Sequence, residues 1–148
     1  MNWLKKLIGG TSGPGGVDYY AEALVLLDAG NLHEALTSFR LALKQSPGDP
    51  LVLQQIAIAY TRMGLLDEAA KTYRHVLQKD PTEAGAHYGL AFLLLRTGLS
   101  AAAADHLRSF LAYAPHDPAV ASHVEHARAT LDALAEADGE AGSKRELA

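Results

Sequence analysis

A period of 34 residues runs through this chain. Gly30, Gly64 and Gly98 are 34 apart, and so are Pro47, Pro81 and Pro115. Ala23, Ala57 and Ala91 keep the same spacing, as do Ala35, Ala69 and Ala103. Four columns that hold one period across three copies limit the fold to stacked units, each burying its apolar face against a neighbour.

The columns read as a helix–turn–helix unit. Each Gly follows an apolar helical segment and stands where a left-handed residue ends a helix. Asn31 then opens a second helix, with Glu34 three residues on in a capping-box pattern. Asp67 and Ser100 are weaker versions of that start. The second helix ends before Pro47, Pro81 or Pro115, because proline cannot continue it. Asp49-Pro50 and Asp117-Pro118 pair an N-cap with proline at the first helical position. The two Ala columns let helix axes approach closely. Leu26, Tyr60 and Leu94 fill the first helices, and Phe39, Tyr73 and Leu107 the second. Aromatic residues are 7% of the sequence, so the core rests on Ala and Leu, which favours packed helices over a β-sandwich.

This order of Gly, Ala, aromatic and Pro in a 34-residue hairpin resembles the tetratricopeptide-repeat (TPR) family. The second copy carries the resemblance best, through Leu53, Ile56, Ala57, Tyr60, Gly64, Ala69, Tyr73, Val76 and Pro81. The first departs with Glu22, and the third with His87 and Phe110. The resemblance implies an all-α fold, a TPR-type right-handed superhelix of three helix-turn-helix repeats with a capping helix. The repeats are expected at about 16–49, 50–83 and 84–117, with the capping helix at 118–137 and the whole TPR domain at 17–137. On that last helix Val120, Val124, Ala127, Leu131 and Leu134 recur at helical spacing, and Phe110 is expected to pack there. From Asp138 to residue 148 the composition turns to Gly, Glu, Ser and Lys without a period, which reads as a flexible tail.

At the other end, residues 1–8 form a short amphipathic segment. Trp3, Leu4, Leu7 and Ile8 share one face, opposite Lys5 and Lys6. Residues 9–16 are a Gly-rich linker with a span of roughly 15 Å. Three readings of the segment stay open: a disordered terminus, a peptide docked in its own groove or a partner's, or a membrane-surface anchor. Burying its large apolar side chains is worth at most about 1.5–3 kcal/mol each, so membrane contact by one copy is weak and needs self-association or a second contact. If the segment occupies its own groove, deleting residues 1–16 raises affinity for any groove ligand.

The family resemblance also implies a function. In TPR folds the first helix of each repeat lines a concave face that binds peptide. By repeat position that peptide-binding groove takes Tyr20, Leu24 and Leu27, then Gln54, Gln55, Ile58, Thr61 and Arg62, then Tyr88, Phe92, Leu95 and Arg96. Arg62 and Arg96 are one period apart and are expected on one edge. Apolar walls with an Arg edge suit an apolar or amphipathic segment that carries a carboxylate. The resemblance argues against a heat-shock chaperone tail. The Lys, Asn and Arg clamp for such a tail is replaced here by Tyr20, Leu24, Gln55, Gly85 and Gly89.

Other classes of function lack their residues. There is no Cys, which removes disulfides, thiol nucleophiles and Cys-based zinc sites. Net charge is −4, and no basic excess points to nucleic acid. His123 and His126 lie three apart on one helix, with Glu125 and Asp132 near, but nothing completes a metal set. No nucleophile elbow or phosphate loop is present. The expectation is a non-enzymatic adaptor with a protein or peptide partner, no cofactor and no metal. It is expected to be cytoplasmic, since no secretory signal or membrane span is read, with residues 1–8 as the membrane-peripheral or self-associating alternative.

Overall fold

The computed structural model describes residues 16–148. The expected segment Trp3, Leu4, Lys5, Lys6, Leu7 and Ile8 lies outside them, as does the linker up to residue 15. Among the described residues the regular structure is helical: α1 (Tyr19–Asp28), α2 (Leu32–Gln45), α3 (Pro50–Arg62), α4 (Leu66–Lys79), α5 (Ala84–Arg96), α6 (Ser100–Tyr113) and α7 (Ala121–Glu146). A 3-10 turn, Pro118–Val120, precedes α7. Two compact units meet between Thr72 and Tyr73, inside α4.

The columns explain where helices stop. Gly30, Gly64 and Gly98 adopt φ of +81°, +78° and +80°. The residue after each, Asn31, Leu65 or Leu99, donates its backbone N–H to a carbonyl in the last turn of the preceding helix. A side chain at such a φ crowds the backbone, which is why glycine recurs. Helices α2, α4 and α6 each end two residues before Pro47, Pro81 or Pro115. A residue before proline is pushed out of the helical region. Asp49 accepts from Leu51 N–H at 2.9 Å and opens α3. Asp117 accepts from Ala119 N–H at 2.9 Å, but the turn it opens is 3-10, and α7 starts at Ala121. The other caps differ from expectation. Asn31 stands at the N-cap of α2 without a side-chain hydrogen bond to the helix. Leu99, not Ser100, is the N-cap of α6, because the chain is already helical at Ser100.

In the first unit α1 packs on α2, and α2 on α3. Ala23, Ala35 and Phe39 are fully buried there, joined by Leu36, Val52 and Ile56. In the second unit α5 packs on α6, and α6 on α7. Ala91, Ala103 and Leu107 are fully buried. All six members of the two Ala columns have no exposed surface, as expected where helix axes approach most closely. Phe110 packs with Ala127, and Val120, Val124, Leu131 and Leu134 close around them.

The end of the chain departs from the expected tail at Asp138. α7 continues through Asp138 to Glu146, although every residue after Leu134 is exposed. The segment has no proline, and its Ala, Glu, Lys and Arg are good helix formers. Local i→i−4 bonds therefore continue a helix already nucleated against α6.

Candidate functional site

The expected site residues divide between the units. In the first, Tyr20 and Leu24 on α1 and Ile58 on α3 lean on the core while keeping part of their surface. The Tyr20 ring meets Phe39 at 6.0 Å between centroids, tilted by 56°. Burial, and then the negative charge of Asp49, push its phenol above the ordinary value. Gln54 and Gln55 are half-buried on α3.

Three expected members have other tasks. Leu27 is 5% exposed and belongs to the core, which corrects its expected place on the peptide face. It follows Ala23 by four residues, so it stacks on the Ala side of the helix and not on the Tyr20–Leu24 side. The Thr61 hydroxyl donates to the Ala57 carbonyl of its own helix at 2.8 Å. Arg62 donates through Nη1 to the Leu27 carbonyl at 2.6 Å. That oxygen closes the last turn of α1, where a cation is favoured by the helix dipole.

In the second unit, Tyr88 and Phe92 share one face of α5, with ring centroids 4.8 Å apart. Leu95 follows, half-buried, and Arg96 is exposed. α7 brings two imidazoles to this face. His126 stacks on Phe92 at 4.7 Å and 24°. His123 meets Tyr88 edge-on at 5.0 Å and 79°. Tyr88 Oη and His126 Nδ1 are 3.0 Å apart. Burial raises the Tyr88 phenol above its ordinary value. Neither histidine had been expected on this face. One signal in the sequence pointed there: His126 follows Phe92 by one period of 34.

The second unit also holds Tyr73 against Gly89, and His87 against His106. Tyr73 is 5% exposed, and burial pushes its phenol up to about 12. Its ring lies on the backbone of Gly89. Among the described residues no group of three His, Asp or Glu side chains comes together as a metal site. None of their helices is long and apolar enough to cross a membrane.

A family model described as tetratricopeptide repeat matches residues 26–76 and 66–124. The chain belongs to the tetratricopeptide-repeat family. Solved TPR-type structures share its fold. The Yersinia enterocolitica type III secretion chaperone SycD, in complex with a peptide of the translocator YopD, superposes with a TM-score of 0.75 at 19% identity, covering 81% of this chain and 92% of that one. PcrH of Pseudomonas aeruginosa, in complex with the chaperone-binding region of PopD, gives 0.73 at 22% identity, covering 81% and 90%. The first TPR of Spaghetti (RPAP3), bound to an HSP90 peptide, gives 0.69 at 14% identity, covering 82% and 90%. These likenesses are of fold. No curated protein matches the chain in sequence.

Proposed function

We propose that this TPR chain is a non-enzymatic interaction module that binds apolar or amphipathic segments of other polypeptides on its first-helix faces. One observation carries the reading. Tyr20 and Leu24, Gln54 and Ile58, and Tyr88 and Phe92 occupy the same two repeat positions, and all six are half-buried. They are neither lost in the core nor fully solvated, which is how side chains that anchor a ligand are held ready. The TPR neighbours in complex with YopD, PopD and HSP90 segments support peptide as the ligand class. Gln55 and Arg96 supply polar contacts beside the apolar positions, and the exposed Arg96 is the better carboxylate partner, since Arg62 is engaged with Leu27.

The packing decides which variants test this. Tyr88 and Phe92 hold α7, so truncating them disturbs the fold as well as the face. Gln54→Ala, Gln55→Ala and Arg96→Ala remove contacts without opening a core. Peptides selected by display against the full chain should lose about tenfold or more in affinity on the triple variant. A control on the second helices, Lys44→Ala with Lys71→Ala, should leave binding unchanged. Equal binding to the triple variant, or loss on the control alone, contradicts the reading.

A further inference from the structure

The third repeat contains a histidine pair that peptide binding does not use. His87 on α5 is 8% exposed. Its Nε2 stands 2.7 Å from the carbonyl oxygen of Pro81, in the loop between α4 and α5. A carbonyl oxygen accepts, so this nitrogen carries a hydrogen. Its Nδ1 stands 2.9 Å from Nδ1 of His106 on α6. Two nitrogens at that distance share one hydrogen: two would collide, and none would leave facing lone pairs.

The protons can be followed from this geometry. In the neutral pair His87 is hydrogenated on Nε2 and accepts at Nδ1. His106 then donates from Nδ1 and keeps its lone pair on Nε2. A first added proton enters at that lone pair, and the N–H···N bond survives with its hydrogen on either Nδ1, so the single charge belongs to the pair and can rest on His87. A second finds one lone pair left, on the accepting Nδ1, inside the bond. Entry there breaks the contact and sets two cationic rings 5.2 Å apart.

The neighbours set the cost of that second charge. From α4, the guanidinium of Arg74 opposes it. From α6, Asp105 favours it, although its carboxylate is held by Arg108 at 2.9 Å. Also from α6, Tyr113 stacks on His87 at 5.9 Å and 26°. Burial, the charge on His87 and Arg74 together hold His106 below the ordinary imidazole value.

We propose that His87 and His106 form a proton-operated clamp. It stays closed with zero or one added proton and opens with two, releasing the Pro81 loop and uncoupling α5 from α6 at this point.

Nitrogen-15 spectra of the full chain test it. A coupling between the two Nδ1 nuclei across the hydrogen bond should be present near pH 8, persist through the first protonation and vanish at the second. The two steps should be separated by at least about one pH unit, the mark of coupled sites. Amide protection from Thr82 to Leu90 should fall about tenfold or more with the second step. His106→Gln and His106→Ala, two variants of different bulk, should abolish that second-step loss. Independent titration of the rings in single steps, with no coupling at any pH, overturns the clamp. So does an equal loss of protection on acidification in the variants.

Discussion

The Tyr73 ring lies against the backbone of Gly89, where a Cβ would overlap its outer atoms. Tyr73 is 5% exposed, so the ring has little room to swing aside. Gly89→Ala gains about 0.8–1 kcal/mol of helix propensity. It meets an overpacking cost of about 1–3 kcal/mol. The expected outcome is net destabilisation in urea unfolding, largely reversed by Tyr73→Leu in the same chain. Gly89→Ala with wild-type stability or better contradicts the contact.

Gly64 presents a different cost. Nothing lies within 4 Å of the position of an added Cβ, yet φ is +78°. Backbone conformation alone sets the penalty there. Gly64→Ala should lose about 1–2 kcal/mol. Gly64→Asn should lose less, since Asn tolerates the left-handed region. Thermal unfolding of the two variants checks the order, and Asn as costly as Ala would point to a steric clash that the structure does not contain.

The Tyr73 phenol also predicts an alkaline limit. Its folded value, about 12, is raised above the ordinary 10.0 by burial. A raised value adds stability that is fully present below about pH 10 and is lost as pH climbs through about 12. Tyrosinate absorbance should therefore show a phenol titrating near pH 12, together with loss of helix. Tyr73→Phe should flatten the stability profile over that range. An unchanged alkaline limb in the variant contradicts this assignment.

On the acid side the sign reverses. His106 lies below its ordinary value, with burial as the first cause and the charge on His87 as the second. Its neutral form is favoured by folding, so the contribution is fully present above about pH 6.5 and declines as pH falls below it. The stability lost by His106→Gln should be larger near pH 8 than near pH 5. A constant difference across that range would show that the imidazole does not titrate against the fold.

Much of this architecture can be read directly from single residues. A glycine forced to positive φ, a proline past a helix end and an alanine between two axes are local constraints, so the period exposed them. What escaped the sequence depends on rotation about a helix or on contact between distant helices. Leu27 fell among the face residues because a shift of one position moves a side chain from face to core. Asn31 has the right type for a cap, but its rotamer is not written in the sequence. His123 and His126 reach Tyr88 and Phe92 only after the loop from Ala114 to Asp117 and a 3-10 turn have returned the chain. Composition at 138–148 suggested an end to order, whereas helix propagation needs little beyond a nucleated turn.

The first-helix faces are tested most directly by amide and side-chain chemical-shift mapping, with a display-selected peptide titrated into the labelled full chain. Peptide binding there predicts shifts concentrated at Tyr20, Gln54, Gln55, Tyr88, Phe92 and Arg96. Arg40, Lys44 and Lys71 on the second helices should stay still. Shifts confined to those second-helix residues, with Gln54, Gln55 and Arg96 unmoved at saturation, would contradict it.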